Sequence, residues 1–167
     1  QVLFFGLILL GVLRMLFALR FSRLVLQRSR VVSDERVCHT LESLRRKIGS
    51  AHRITVRESD QLTGAATTGI VSPSILVPAE WRTWTDAELR SVLAHELSHI
   101  VHNDYLWRLL TCWLSVLHYY NPFVHLLQHR AALVQEHAAD SLAIRMVDSN
   151  EYLRSLASLA LARDDQS

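Results

Sequence analysis

The chain has few cysteines and lacks the motifs of several large enzyme classes. Cys38 and Cys112 are the only cysteines among 167 residues, and no pairing pattern is evident. The sequence is therefore not that of a disulfide-stabilised domain, and it is consistent with a reducing compartment. It has no glycine-rich phosphate loop, no Ser/His/Asp nucleophile motif, no internal repeat and no low-complexity segment. The length and composition indicate a single domain with a membrane anchor.

Positive charge is concentrated in one segment. The formal net charge of +2 says little about partners. Between residues 20 and 36, however, Asp34 and Glu35 alone oppose five arginines, which are Arg20, Arg23, Arg28, Arg30 and Arg36. A nucleic-acid patch is the alternative interpretation, but the run lacks regularly interleaved aromatic residues and directly follows an apolar stretch. We expect membrane headgroups as its partner and no direct nucleic-acid binding.

A hydrophobic stretch opens the chain. Residues 2–13 are all apolar or glycine, and residues 15–19 continue the run after Arg14, which can snorkel towards one end. About 20 such residues cross a bilayer, and the features of a cleaved signal peptide are missing. We predict a transmembrane helix at 1–21, a basic juxtamembrane segment and helix at 22–50, and the main domain at 51–167. The positive-inside rule places that domain in the cytoplasm. Because the chain begins with Gln1, we expect a fragment of a longer protein.

The most informative motif is His95-Glu96-Leu97-Ser98-His99. On a helix, residues four apart share a face, so both imidazoles can bind one zinc ion, with Glu96 as general base for the activated water. Upstream, Thr85 and Glu88 have capping-box spacing. Apolar residues then recur at helical spacing on another face, namely Leu89, Leu93, Leu97 and Ile100.

A second acidic pair supplies the remaining ligand of the predicted site. Glu136 and Asp140 lie four residues apart among alanines that suit close helix packing. We predict that Glu136 is the third zinc ligand and that Asp140 accepts the free N–H of one ligand histidine. The alternative is a solvated acidic pair on a helix surface. Asp104 is expected either to orient the end of the zinc helix or to cap the next helix.

The rest of the chain predicts a mixed fold. We expect a helix at 31–48 closed by Gly49, and strands at 53–58, 66–71 and 74–77, the last an edge strand because Pro73 and Pro78 bracket it. An extended substrate can add to such a sheet, and Gly69, Ile70 and Val71 are the predicted contact, with a simple packing strand as the alternative. Residues 105–127 are strongly apolar and could form a second membrane-embedded helix, an interfacial helix or a core helix that links the two ligand segments. We favour a helix packed against the membrane or the anchor, with a turn at 121–122. This stretch contains His118, Tyr119 and Tyr120, any of which could stabilise an oxyanion.

Residues 71–144 resemble the membrane-bound zinc peptidases of the BlaR/MecR type, which transduce β-lactam signals. The matching segments are residues 73–78, 93–100, 103–106, 121–122 and 136–140. Asn121 stands where the family has His, and Ala139 where it often has Cys; neither is a proposed ligand. The resemblance implies a mainly helical α+β, zincin-like peptidase domain with a small sheet behind a transmembrane helix, and Zn²⁺ as cofactor.

The resemblance also implies a function. We expect a membrane-anchored, zinc-dependent metalloendopeptidase that cleaves a polypeptide, such as a cytoplasmic transcriptional repressor or itself, in response to a signal. Two alternatives stay open. One is a housekeeping membrane protease of the HtpX or CAAX type, and the other is an inactive metal-binding scaffold that transmits a signal, which Glu96 disfavours because a scaffold needs no general base.

Overall fold

A computed structural model describes residues 2–50 and 53–164. Its first element is the helix α1 (Val2–Arg28). From Phe5 to Arg28 this helix has a mean hydropathy of 1.8 and few of its residues are buried, so its length and composition suffice to cross a membrane. No other helix in the described part of the chain meets the same criteria. The helix is longer than the predicted span at 1–21, because it continues through the first arginines of the basic segment.

Four short strands form one mixed sheet. They are β1 (Arg30–Val31), β2 (Thr55–Ser59), β3 (Ala66–Thr68) and β4 (Ser74–Pro78). The order across the sheet is β1-β2-β4-β3, with β2 and β4 parallel and the two outer pairs antiparallel. A mainly helical α+β domain with a small sheet is therefore confirmed.

The prediction that residues 74–77 form an edge strand is wrong. All five residues of β4 are buried, and the strand lies between β2 and β3. Its prolines flank the ladder instead of interrupting it: Pro73 precedes the strand and Pro78 ends it, so their missing N–H groups break no interior hydrogen bond. The edge strand is β3. It ends at Thr68 rather than residue 71, because Gly69 adopts φ +92° and turns the chain.

Helix α2 (Glu35–Ile48) begins later than the predicted residue 31. Residues 30–31 pair with β2 instead, and the Asp34 side chain then caps the helix by accepting hydrogen bonds from the Arg36 and Val37 amides. The predicted end at Gly49 is confirmed, with Gly49 in the left-handed conformation that closes many helices.

Helix α3 (Asp86–Val101) is the centre of the core and carries the zinc motif. The predicted capping box is confirmed, since Thr85 Oγ1 accepts from the Glu88 amide and Glu88 Oε2 accepts from the Thr85 amide. Its apolar face packs against α2, the sheet and residues 143–152. The most completely buried members of this core are Val37, Leu44, Ile75, Val77, Leu89, Leu93, Ala94, Leu97, Ala143 and Tyr152.

Three further helices complete the chain: α4 (Asp104–Leu117), α5 (Pro122–Met146) and α6 (Ser149–Asp164). The predicted turn at 121–122 is confirmed: Asn121 caps α5 by accepting from the Phe123 amide, and Pro122 is the first helical residue. Helix α4 packs against α1 where a methyl group on Gly11 would lie 3.0 Å from Val116 Cγ1. The close approach of α1 and α4 therefore depends on the missing side chain of Gly11.

We expect Gly11→Leu to lower stability by about 1–3 kcal/mol, because a side chain at this contact overpacks the α1–α4 interface. Gly6→Leu is the matched control, since nothing lies within 4 Å of a Cβ at Gly6 on the same helix. The measurement is the thermal unfolding midpoint of each variant in the same detergent. A Gly11 variant that unfolds with the Gly6 control would contradict this contact.

Candidate metal centre

Helix α3 presents both histidines of the motif on one side. His95 Nε2 and His99 Nε2 are 3.2 Å apart, and the two rings are nearly perpendicular at 84°. Both side chains are largely buried, with exposed fractions of 22% and 12%. Because Leu93 and Leu97 on the same helix are locked in the core, α3 cannot rotate without exposing its apolar face. The core therefore sets the direction of both imidazoles.

Helix α5 adds a carboxylate to these two nitrogens. Glu136 Oε2 lies 3.6 Å from His95 Nε2 and 3.9 Å from His99 Nε2. A point equidistant from three atoms so spaced is at least about 2.1 Å from each, which matches the Zn–N and Zn–O bond lengths. Among the described residues, these three form the group able to hold a metal ion. The donor set thus fits a divalent cation in both chemistry and spacing.

Asp104 contacts His99 at Nδ1, the ring nitrogen that does not face the proposed metal. Its Oδ2 lies 2.7 Å from His99 Nδ1, and its side chain is only 9% exposed. The corner between α3 and α4 makes this contact possible, because Asn103 adopts the left-handed conformation (φ +56°) that asparagine tolerates better than most residues. Asp104 is the first residue of α4, yet the side-chain contact it makes is to the histidine. With Nδ1–H donating to Asp104, the Nε2 lone pair of His99 is left for a metal.

Asp140 and Tyr152 hold the first histidine. Asp140 Oδ1 lies 3.0 Å from His95 Nδ1, and the Tyr152 hydroxyl donates to the same Oδ1 at 2.7 Å while lying 3.1 Å from His95 Nδ1. Tyr152 is 1% exposed. Burial, followed by the hydrogen bond to Asp140, raises the pKa of the Tyr152 hydroxyl, so it stays protonated and remains a donor. Each ligand histidine therefore has a carboxylate partner on its other nitrogen.

The buried environment changes the acid–base properties of the site. Burial, and then the neighbouring His99, lowers the pKa of His95, which favours the neutral form that a metal needs. Burial, and then the charge of Glu136, raises the pKa of Glu96 to about 8, and Arg108 opposes that rise. Glu96 therefore binds a proton far more readily than an exposed glutamate does. A cation held by the neighbouring ligand atoms would favour its ionised form.

These groups lie in a cleft of about 180 Å³. One wall is the loop before β3 and the strand itself, the floor is α3, and the opposite wall belongs to α4 and α5. Arg108, whose Nη2 lies 4.0 Å from Glu136 Oε1, contributes a positive charge. The lining residues are Ala65, Ala66, Thr67, His95, Glu96, His99, Asp104, Tyr105, Arg108, Gln135 and Glu136.

The structure brings together five of the predicted site residues: His95, Glu96, His99, Glu136 and Asp140. Gly69, Ile70 and Val71 form a bend after β3; Gly69 and Ile70 line a small crevice beside His99, whereas Val71 is 93% exposed. Residues 118–120 lie in the turn at the far end of α4, and none of them lines the cleft.

Tyr152 is the site residue that the sequence does not reveal. Its contact with Asp140 and His95 depends on how α6 returns against α3 and α5, which no local spacing encodes.

The family model described as BlaR1 peptidase M56 matches residues 1–166. The chain belongs to this peptidase family. It is similar to the regulatory protein BlaR1 of Bacillus licheniformis, with 24% identity over 155 residues, which cover 90% of this chain and 26% of that protein. It is also similar to BlaR1 of Staphylococcus aureus, with 24% identity over 100 residues, which cover 59% of this chain and 17% of that protein.

The chain thus spans about a quarter of the length of the curated relatives it matches, or less. Family membership and the apolar helix α1 together identify a membrane protein of a regulatory metallopeptidase family.

We expect Asp104→Asn to weaken Zn²⁺ binding about 10- to 100-fold, because the amide no longer fixes the His99 tautomer or raises the basicity of its Nε2. Asp148→Asn is the matched control: Asp148 caps α6 at the Asn150 amide and touches no proposed ligand, and asparagine caps equally well. Competition with a chromogenic chelator measures both affinities. Equal affinities for the two variants would contradict the role of Asp104.

We expect Tyr152→Phe to weaken Zn²⁺ binding by less than Asp104→Asn, since it removes a hydrogen-bond donor to Asp140 and leaves the carboxylate in contact with His95. The phenylalanine ring preserves the packing of a fully buried side chain, so the thermal midpoint should change little compared with Tyr152→Ala. Chelator competition and thermal unfolding on the same samples separate the two effects. Unchanged Zn²⁺ affinity in Tyr152→Phe would show that the hydroxyl contributes only to packing.

Proposed function

We propose that this chain is the catalytic part of a membrane-anchored, zinc-dependent metalloendopeptidase with a regulatory role. The observation that carries the proposal is the juxtaposition of three ligand atoms with a buried glutamate in a cleft beside a sheet edge. Two imidazole nitrogens and one carboxylate oxygen form the ligand set of many catalytic zinc sites, in which a further position stays open. His95, His99 and Glu136 would hold the ion in this chain.

Bound at these residues, zinc would polarise a scissile carbonyl and lower the pKa of water. Glu96 is the general base in the proposal. It takes the proton of the attacking water and then passes it to the leaving amine, a sequence that needs a carboxylate with raised proton affinity. The burial of Glu96 supplies that affinity. Asp104, Asp140 and Tyr152 hold the two histidines in the ligand tautomer throughout.

The substrate in this proposal is an extended polypeptide that adds to the free edge of β3. Among the strands in residues 2–50 and 53–164, this strand pairs with β4 alone, and Ala66 and Thr67 line the cleft. Main-chain pairing to an edge strand aligns a peptide bond without demanding a particular sequence. The substrate contact predicted at Gly69, Ile70 and Val71 stays a prediction; these residues follow β3 where the chain bends beside the cleft. Arg108 adds a cation that complements a carbonyl or an acidic side chain of the substrate.

We also propose that a signal regulates the peptidase activity. The relatives are named regulatory proteins, which favours control of a cytoplasmic transcriptional repressor or self-cleavage over housekeeping degradation. The arginines at the end of α1 favour a cytoplasmic catalytic domain by the positive-inside rule. The division into an anchor at 1–21, a basic segment and helix at 22–50, and a peptidase domain at 51–167 stays a prediction, and in the structure β1 and α2 pack together with the elements that follow residue 51.

We expect Glu96→Gln in the full-length protein to lower peptide hydrolysis by about 10²–10⁴-fold, the usual contribution of a general base, without loss of zinc. Glu80→Gln is the matched control, because Glu80 is an exposed residue in the turn between β4 and α3. The assay incubates the detergent-purified protein with a mixed peptide library and identifies cut sites by mass spectrometry. Zinc content is measured in parallel.

Chelator should abolish the cleavage, and added zinc should restore it in the wild type and in Glu80→Gln. Cleavage by Glu96→Gln at the wild-type rate would refute the mechanism and favour a metal-binding scaffold. Cut sites confined to one repressor or to the protease itself would favour a regulator. Indiscriminate cleavage of unfolded chains would favour a housekeeping enzyme.

A further inference from the structure

A large apolar surface lies on α4 and the first turns of α5, outside the cleft. We name it the hairpin surface. From residue 105 to residue 129, Arg108 is the only acidic or basic residue apart from histidines, and it lines the cleft. An apolar patch of this extent is unusual on a surface that faces water. The exposed members are Leu106, Trp107, Leu110, Trp113, Leu114, Leu117, Phe123, Leu126 and Leu127, each at least 37% exposed.

Two contacts of α1, one with α4 and one with β3, relate the depth of the hairpin to that of the cleft. Near the start of α1, Gly11 meets Val116, which is 8% exposed and lies at the end of α4. Near the end of α1, Ser22 Oγ lies 2.9 Å from Thr68 Oγ1 in β3, the strand beside the cleft. The cleft is therefore level with Ser22, and the end of α4 is level with Gly11.

The rise per residue along α1 and α4 places Gly11 and Val116 at the same depth below the cleft. Ser22 lies between Arg20 and Arg23, whose charges belong at the headgroup level. Gly11 is roughly 16 Å further along the helix axis, at 1.5 Å per residue. Along α4, Val116 is roughly 18 Å from Asp104, which lines the cleft. Since the hydrocarbon core is about 30 Å thick, a helix that runs beside α1 over this distance ends near the middle of the bilayer.

Several backbone groups at the tip of the hairpin are hydrogen-bonded within the hairpin. The His118 amide donates to Leu114 O, the Asn121 amide to His118 O and the Val124 amide to Asn121 O. His125 Nε2 lies 2.9 Å from Tyr119 O. Between the two helices, Ser115 Oγ donates to Gln128 Oε1 at 2.9 Å. Internal pairing of this kind is what the bilayer interior demands of irregular backbone.

We propose that the α4–α5 hairpin enters the bilayer beside α1 as a re-entrant pair of helices, with lipid acyl chains covering the hairpin surface. The partner is the lipid bilayer, and the inference does not depend on peptide hydrolysis. Continuity with α1 argues for lipid over a soluble partner, because Gly11 and Val116 lie at one depth. The cleft then opens at the headgroup level, next to Arg20 and Arg23.

Spin-label accessibility tests this depth directly. All native cysteines of the full-length protein, Cys38 and Cys112 included, are replaced by Ser or Ala, and single cysteines are then introduced as Leu117→Cys and Leu126→Cys on the hairpin surface. Phe17→Cys is the lipid reference, since Phe17 is 72% exposed on α1. Arg46→Cys is the water reference, because the Arg46 side chain is 79% exposed on the amphipathic helix α2. All four positions are exposed, so the labels should not disturb the fold.

Each labelled protein is placed in vesicles of phosphatidylcholine and phosphatidylglycerol, and its collisions with oxygen and with chromium(III) oxalate are measured. We expect labels at 117 and 126 to behave like the label at 17, with oxygen collisions far above those with the chromium complex. A water-like profile matching Arg46→Cys would overturn the proposal. Exclusion of both reagents would overturn it as well, since a second protein surface would then cover the hairpin.

Discussion

The structure depends on the burial of one face of α3. Leu89, Leu93 and Leu97 are between 0 and 1% exposed and pack against the sheet, α2 and α6. Each such side chain contributes about 1.5–3 kcal/mol relative to an exposed one, so rotation of the helix by even a fraction of a turn is costly. The burial of this face places His95 and His99 on the opposite side of the helix, where Asp104, Asp140 and Tyr152 then orient their rings. The helix therefore directs two imidazoles at one point before any metal is present.

The sequence predicts well what is encoded locally. The capping box at Thr85 and Glu88, the end of α2 at Gly49 and the turn before Pro122 are all visible as short motifs, and all are found. The pairing of strands is less visible. Prolines on both sides of β4 resemble the signature of an edge strand, but they flank the ladder, so β4 lies inside the sheet and β3 becomes the edge.

The residues that contact the Nδ1 atoms of the two histidines show the same difference between local motifs and tertiary packing. Asp140 is suggested by its spacing from Glu136, because both lie on one helix. The contact of Asp104 with His99 depends on the left-handed corner at Asn103, so the sequence alone leaves its role open between orienting and capping. Tyr152 approaches from a helix whose direction only tertiary packing sets, and nothing in the sequence marks it.

The balance of charges in the cleft explains why its side chains need so many polar and charged partners. Glu96, Glu136, Asp104 and Asp140 place four carboxyl groups around two imidazoles, with Arg108 as the nearest cation. Such a concentration of acids is unfavourable in a buried site. The high pKa of Glu96 results first from its burial and then from the charge of Glu136. A divalent cation would relieve this repulsion. The same acids would then stabilise the ion, so folding of the cleft and metal binding reinforce each other.

The proposed membrane insertion would place a geometric limit on what this cleft can reach. Ser22 and Thr68 tie β3, the proposed substrate edge, to α1 at the level of its arginines, so a polypeptide that pairs with β3 would approach along the bilayer surface. A protease held in this way would select among substrates by the distance of the scissile bond from the membrane as well as by sequence. Edge-strand pairing reads the main chain and therefore discriminates little among side chains. Tethering would compensate for that low selectivity, because only segments brought to the membrane would reach a high local concentration at the cleft.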